Sequence, residues 1–421
     1  MSLVSVHHEK REAISTGTHL GPAFVSGRGA WLTAEDGGRF FDATAGSGAV
    51  SLGHQHPTVT AAVVEQAQQL IHTGCKLGST VRARFTEQLA DIVPIKNTKV
   101  LPTVTGSEAI ESALKVARAA TGNTNVISFD RSFHGKTAGA LSLTWRNSLK
   151  KYSGPSPLGV WRANPPDPRT EDSTKTFDRV CDVIAEASRK GGLAALVIEP
   201  VQTTEGVLCL PQGFVDAVID EVHRVGGLVI LDEIYTGLGR CGHLFYSDSL
   251  AATPDLLVVG KTLGNGSPIA AVIGSATNMD ALPAGIQTST FSGSPLSCAA
   301  AVAVLNVVKE SDVPGHARRL EANLRQYGKH LSAEYAFVRS WRVMGGLAAF
   351  DCVGPDGMPS STLAKKFARA ALAEKVLLFT GGPENSSVKI VPPLILENGD
   401  FGELTTRLTS AAQKVLKEVG R

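Results

Sequence analysis

The chain has 421 residues, 43% hydrophobic and 19% charged, which is typical of a soluble globular protein with ample material for a core. A net charge of +2 is too small to indicate a nucleic acid or an anionic membrane surface as partner, and no apolar run approaches the roughly 20 residues of a membrane span. The six cysteines are scattered without a C-x-x-C pair, and the first residues lack the apolar core of a secretory signal. We therefore expect no metal site, no disulfide framework and a cytoplasmic location.

The first 50 residues favour turns and short strands, with Gly37 and Gly38 in a hairpin turn between residues 30–32 and 39–41. Five later runs are apolar throughout, the pattern of strands buried on both faces of a mostly parallel sheet. They are residues 126–129, 195–198, 228–231, 256–259 and 271–274. Residues 214–225, between the second and third runs, have apolar side chains at helical spacing. This strand–helix–strand unit predicts a doubly wound α/β domain.

Towards the C-terminus, a long apolar-periodic stretch covers residues 297–308, and the final hundred residues mix strands and helices. We expect the two chain ends to pack together into a smaller α+β domain. The predicted boundaries are residues 1–52 and 301–421 for this small domain and residues 53–300 for the large one.

Polar residues or a helix start follow four of the predicted strands, at the sheet edge where open α/β sheets bind ligands. They are Gly106 and Ser107 after a short strand at 99–104, Glu199 and Gln202 after 195–198, Asp232 after 228–231, and Lys261 after 256–259. One ligand would use all of these groups: an anionic phosphate on a protonatable ring that carries an aldehyde.

Each role has a physical basis and a more ordinary alternative. The helix start at Gly106 and Ser107 offers free N–H groups to a phosphate, although Ser107 could simply cap the helix. Asp232 ends an apolar strand, where a pyridinium N–H would satisfy its charge, although a salt bridge would also do so. Lys261 would form an imine if burial lowers its pKa, although most lysines are solvated. Taken singly, the alternatives are favoured; together, in chain order, the residues favour the cofactor.

Six motifs resemble those of the class III (omega-type) aminotransferases, enzymes of pyridoxal-phosphate (PLP) fold type I, over nearly the whole chain. They are G-H-Q-H-P at 53–57, T-G-S-E-A at 105–109, F-H-G at 133–135, D-E-I-Y-T-G-L-G-R at 232–240, K-T-L-G-N-G-S-P-I at 261–269 and S-T-F-S-G-S-P-L at 289–296. The resemblance implies a large domain with a mostly parallel doubly wound sheet, a smaller domain built from both chain ends, and PLP as cofactor.

The resemblance also implies residue roles. Lys261 would carry PLP as a Schiff base and act as general base and acid, with Asp232 as its catalytic partner. The remaining cofactor contacts would be Gly106 and Ser107 at the phosphate, Phe133 and Ile234 on the ring faces, Glu199 beside Asp232, Tyr235 near the cofactor hydroxyl, and Thr290 from a neighbouring subunit. His134 would either touch the cofactor or serve as a structural histidine. The expected assembly is a homodimer with shared active sites.

Three departures from the family pattern concern the substrate. Tyr235 replaces a common glutamine, and its phenol can still donate a hydrogen bond. Thr204 stands where relatives that use ornithine or 4-aminobutyrate carry a glutamate, with Glu205 one step later. Lys389 replaces the arginine that grips a substrate carboxylate, and lysine lacks the bidentate fork. We therefore expect Lys389 to bind a substrate carboxylate as a point charge, with Gln202 as a second candidate substrate contact. We expect the substrate to be a less ordinary amine or aldehyde, of the kind used in specialised biosynthesis.

The predicted reaction is ping-pong transfer of an amino group from an amine or omega-amino donor to a 2-oxo acid, or the reverse onto an aldehyde or ketone. A PLP-dependent aminomutase, racemase or epimerase, or decarboxylase would share Asp232 and Lys261, so the motifs leave these alternatives open. A non-enzymatic PLP-binding module is disfavoured because no helix-turn-helix segment precedes the domain and no basic patch is evident.

Overall fold

The computed structural model describes residues 12, 13, 15, 21–154, 159–167 and 173–419. In chain order the strands are β1 (Phe24–Arg28), β2 (Trp31–Ala34), β3 (Arg39–Asp42), β4 (Thr98–Thr103), β5 (Asn125–Phe129), β6 (Val160–Ala163), β7 (Leu193–Ile198), β8 (Val201–Gln202), β9 (Leu208–Cys209), β10 (Leu228–Asp232), β11 (Leu256–Val259), β12 (Ala270–Ser275), β13 (Val338–Met344), β14 (Leu347–Cys352), β15 (Val376–Leu377), β16 (Phe379–Gly381) and β17 (Ser387–Ile390).

The α-helices span Ala45–Gly48, Pro57–Gln69, Thr80–Asp91, Gly106–Thr121, Ala138–Leu143, Asn147–Lys150, Ser173–Arg189, Gln212–Arg224, Ala276–Met279, Pro295–Glu310, Val313–Glu334, Ser361–Ala373 and Asp400–Val419. Short 3-10 turns occupy Tyr246–Ser249, Lys261–Gly264 and Pro383–Asn385. Among the described residues, no helix has the length and apolar character needed to cross a bilayer.

A seven-stranded sheet in the order β4-β12-β11-β10-β7-β5-β6 forms the centre of the molecule. Its strands run parallel except β12, which is antiparallel to both of its neighbours. Alternate residues of β10 enter different core clusters: Leu231 packs with the helix Gln212–Arg224, and Ile230 packs with the helix Gly106–Thr121. Helices therefore cover both faces, and the predicted doubly wound α/β sheet is confirmed.

The two chain ends meet in the fold. The hairpin β2–β3 forms as predicted, and β3 pairs in parallel with β15 near the C-terminus. A second sheet, β13-β14-β17-β16, packs against the helices Val313–Glu334 and Ser361–Ala373, and one core cluster holds residues from both ends. The helix Pro295–Glu310 continues without interruption past residue 300. The domain boundaries drawn from the sequence stay a prediction.

Candidate active site

A cavity of about 520 Å³ lies at the carboxyl ends of the central strands. It brings together nine of the ten residues predicted to bind the cofactor, and also one of the two predicted substrate contacts. These are Gly106, Ser107, Phe133, His134, Glu199, Asp232, Ile234, Tyr235, Lys261 and, for the substrate, Lys389. The separate strand ends converge because neighbouring parallel strands end at one edge of the sheet.

One wall of the cavity is the N-terminus of the 16-residue helix that begins at Gly106. Thr105 caps this helix, since its hydroxyl accepts a hydrogen bond from the Glu108 N–H at 3.2 Å. Ser107 is therefore not the cap, and its hydroxyl accepts from the Lys136 N–H at 3.3 Å. A Cβ added to Gly106 would lie 2.7 Å from Cδ1 of Ile234, so a larger residue would crowd this wall. The helix dipole and free N–H groups suit a phosphate.

Asp232 presents a buried carboxylate at the last position of β10. One of its oxygens lies 2.8 Å from Nδ1 of His134, and the other accepts from the Ile234 N–H at 3.1 Å. His134 is itself buried, and its Nε2 has no hydrogen-bond partner within the described part of the chain. This arrangement orients Asp232 towards the cavity, where a protonated ring nitrogen would satisfy the charge.

Lys261 follows β11 and lies beside Tyr235, with its Nζ 3.9 Å from the centroid of the phenol ring. Its φ of 43° is in the left-handed region, a strain of roughly 1–3 kcal/mol that is often found at active sites. Burial lowers the pKa of Lys261 to about 8, although Asp232 and Glu199 act in the opposite direction. An appreciable fraction of the amine is thus neutral and nucleophilic near neutral pH.

Glu199 connects two loops through hydrogen bonds to their backbone. Its carboxylate accepts hydrogen bonds from the Phe133 N–H at 2.9 Å and the Thr203 N–H at 3.1 Å. Burial raises the pKa of Glu199 to about 8, and the nearby charge of Asp232 adds to the effect. The raised pKa favours the protonated form of Glu199.

The turn after β3 contributes two cavity residues that sequence reasoning missed, Ser47 and Ala49. Residues 45 to 48 all have positive φ, between 46° and 79°. The Asp42 carboxylate stabilises the turn by accepting hydrogen bonds from the backbone N–H groups of residues 44 and 46, both at 2.9 Å. Gly48 faces Tyr235 so closely that a Cβ would lie 2.5 Å from the ring. The glycines of this segment were the available sequence signal, since left-handed turns favour glycine.

Lys389 lines the cavity together with Thr204 and Phe379. Burial lowers the pKa of Lys389 to about 8, with the Arg146 guanidinium contributing in the same direction. Glu205, the acid nearest in sequence to Thr204, is buried and forms its ion pair with Arg146 instead. No acidic side chain in the described residues lies within ion-pair distance of Lys389, so its charge is open to a ligand.

Two predicted site residues lie elsewhere. Gln202 is fully buried, and its side-chain amide donates to the Asp130 carbonyl at 2.7 Å, so the structure does not bring it to the cavity. Thr290 is exposed and does not line the cavity within one chain.

We compared the chain with known protein families, proteins and solved structures. The model of the class-III aminotransferase family matches residues 16–412. A probable 4-aminobutyrate aminotransferase of Bacillus subtilis (strain 168) is 32% identical over 392 residues, covering 90% of each protein. An alanine/serine racemase of Pyrococcus horikoshii is 29% identical over 385 residues, covering 88% of this chain and 81% of the relative.

Among solved structures, the ornithine aminotransferase of Toxoplasma gondii ME49 superposes with a TM-score of 0.88 at 27% identity, covering 98% of this chain and 95% of that one. The fold is thus PLP fold type I, and the site is that of a PLP-dependent enzyme. The chain belongs to the class-III aminotransferase family and is a PLP-dependent aminotransferase, which transfers an amino group between an amine and a 2-oxo acid.

The residues of the cavity fit PLP. Position 106 is a glycine, and a larger residue there would crowd Ile234. The glycine therefore keeps the helix N-terminus accessible to a phosphate. Asp232, steadied by His134, offers a carboxylate to the ring nitrogen, and Lys261 offers an amine with a lowered pKa. These three features lie around one cavity of suitable size.

Proposed function

We propose that Lys261 holds PLP covalently and moves the proton during amino transfer, with Asp232 as the partner of the ring nitrogen. The observation that supports this most directly is that both side chains line one cavity from the ends of adjacent strands, β11 and β10. Bound PLP supplies an electron sink, which acidifies the hydrogen on the amine-bearing carbon of the donor. The pKa of Lys261, about 8, is close to the value that suits a general base and acid near neutral pH.

We assign the remaining cofactor contacts from the same geometry. Gly106 and Ser107 would bind the phosphate, and Phe133 and Ile234 would pack against the two ring faces. Tyr235 would donate a hydrogen bond to the ring hydroxyl, because burial raises its pKa to about 12 and keeps the phenol protonated.

Two buried residues would position these groups. His134 would fix the orientation of Asp232 through the 2.8 Å contact at Nδ1. Glu199 would fix the backbone of Phe133 through the hydrogen bond from the Phe133 N–H.

Lys389 is our candidate for the substrate carboxylate. It lines the cavity beside Thr204, and the Arg146–Glu205 pair leaves it without an acidic partner among the described side chains. A lysine provides a point charge rather than the planar two-point contact of arginine. The donor would therefore be an amine or omega-amino compound recognised differently from ornithine or 4-aminobutyrate in the relatives that use them, consistent with a specialised biosynthetic role.

The proposed assembly is a homodimer in which Thr290 of the partner subunit completes each site. Exposed apolar side chains near this residue support an interface, since such patches often mark protein contacts. They include Phe291, next to Thr290 in the chain, and Ile71, next to His72, which are 63% and 57% exposed, and the Phe291 ring lies 5.0 Å from the His72 ring.

The small domain would comprise residues 1–52 and 301–421, and the large domain residues 53–300. The six free cysteines favour a reducing cytoplasm. We propose small-molecule substrates only, with no nucleic acid and no membrane as partners.

The test is the visible absorption of the PLP-loaded enzyme, recorded with a panel of amine donors and then with 2-oxoglutarate or pyruvate. We expect one donor to bleach the lysine-bound PLP band and an oxo acid to restore it. Product analysis without any oxo acid separates the alternatives, because a racemase, mutase or decarboxylase turns over repeatedly without an acceptor. Repeated turnover of that kind would contradict transamination as the physiological reaction.

A further inference from the structure

A second cavity of about 420 Å³ adjoins the first. It lies beside the helix Ser361–Ala373, and the two cavities share Phe379 and Lys389. These residues are directly opposite each other in the antiparallel pair β16–β17, so their side chains lie on the same face of that sheet. The two cavities therefore meet at this pair of residues.

The charged lining of the second cavity is entirely cationic: Lys365, Arg369 and the shared Lys389. No carboxylate of the described chain forms an ion pair with any of the three. The nearby acids are already engaged, since Glu374 pairs with Lys414 and Glu418 pairs with Lys366.

This charge pattern is unfavourable for the protein alone. Lys365 and Arg369 are four residues apart on one helix, a spacing at which like charges destabilise a helix. An anion bound between them and Lys389 would reverse that repulsion. The rest of the wall is mainly apolar, with Leu372, Leu378 and Phe379.

We propose that the second cavity binds the distal anionic group, a carboxylate or a phosphate, of an elongated amino substrate whose reacting end lies in the first cavity. The apolar spacer of the substrate would pack against Leu372 and Phe379. The proposal rests on the proposed function, because it takes the first cavity as the place of amino transfer.

The test compares three donors of equal chain length: an omega-amino alcohol, an omega-amino carboxylate and an omega-aminoalkyl phosphate. Arg369→Ala and Lys365→Ala are combined in one variant, and both positions are exposed helical sites where alanine is well tolerated. Lys366→Ala is the control, since it removes one positive charge from the same helix at a position that does not line the cavity.

We expect the double variant to lower kcat/KM for the two anionic donors roughly 10-fold or more, as the loss of charge-assisted contacts implies, and to leave the amino alcohol unchanged. The Lys366→Ala control should behave as wild type with all three donors. Preference for the carboxylate over the phosphate, or the reverse, identifies the anion. Equal effects on the alcohol and the anionic donors, or an equal effect of Lys366→Ala, would overturn the proposal.

A binding measurement keeps the test independent of turnover. Calorimetric titration of a long-chain dicarboxylate into the PLP-loaded enzyme should show weaker binding to the double variant than to Lys366→Ala, and equal affinities would overturn the proposal. Failure of the proposed function has a different signature, since then none of the donors bleaches the PLP band of the wild-type enzyme.

Discussion

The substitution Gly106→Ala tests how tightly the predicted phosphate wall is packed. The added Cβ would lie 2.7 Å from Cδ1 of Ile234, so this terminal methyl must move, whereas the two γ carbons at 3.4 Å would remain in ordinary contact. The φ of Gly106 is not in the left-handed region, so the cost comes from this contact rather than from backbone strain. Overpacking of this kind typically costs about 1–3 kcal/mol.

Ile234 lines the cavity, so its displacement should appear mainly as weaker binding of PLP. A cost of about 1–3 kcal/mol corresponds to a dissociation constant roughly 5- to 150-fold higher. The assay is titration of the apoenzyme with PLP, combined with thermal unfolding of the apoenzyme. Gly213→Ala is the matched control: this glycine also lies in the first turn of a helix, and a Cβ there would meet nothing within 4 Å.

A second substitution makes the result specific to the contact. Ile234→Val deletes Cδ1, so Gly106→Ala combined with Ile234→Val should recover a large part of the lost affinity. Equal PLP affinity of Gly106→Ala and Gly213→Ala would show that the contact with Ile234 does not limit binding. A double variant that binds PLP more weakly than the sum of the single effects predicts would show the same.

Three further predictions concern the charged groups. Lys389→Ala should raise KM for 2-oxo acids roughly 10- to 150-fold, the range for a lost charge-assisted hydrogen bond, and unchanged KM values for every oxo acid would refute its role. Asp232→Asn should slow the first half-reaction, measured by stopped-flow absorption, by a similar factor of about 10- to 150-fold, because the ring nitrogen loses its anionic partner. A rate within a factor of about two of wild type would count against this role of Asp232. The rate of reconstitution of the apoenzyme with PLP should rise with pH and level off above about 8. The reason is that the pKa of Lys261 is lowered to about 8 and only the neutral amine attacks PLP. A midpoint of this pH–rate profile near 10 would indicate a lysine with an ordinary pKa.

The sequence predicted the central sheet and most of the site for the same physical reason. Strands buried on both faces must be apolar throughout, so the charged residues that follow them, such as Asp232 and Lys261, stand out. The carboxyl ends of parallel strands share one edge, so residues far apart in the chain could be expected to meet there. Gly106, Glu199, Asp232 and Lys261 all line one cavity.

The residues that were missed or misplaced depend on long-range geometry. Ser47 reaches the cavity because the Asp42 carboxylate stabilises a left-handed turn. The local sequence does not indicate the direction in which such a turn leads the chain. Gln202 follows the same strand as Glu199 but bonds to the carbonyl of Asp130, 72 positions away. The Arg146–Glu205 pair likewise joins segments 59 residues apart. Spacing along the chain does not reveal contacts of this kind.

The identity of the lysine that carries PLP can be determined directly. Two lysines of the cavity, Lys261 and Lys389, have a pKa lowered to about 8 by burial, so both are chemically capable of the linkage. Borohydride reduction of the PLP-loaded enzyme makes the linkage permanent, and peptide mass mapping then locates it. We expect modification of Lys261 alone, and we expect it to be lost when an amine donor is added before reduction. Modification of Lys389, or of Lys261 regardless of donor, would contradict this expectation.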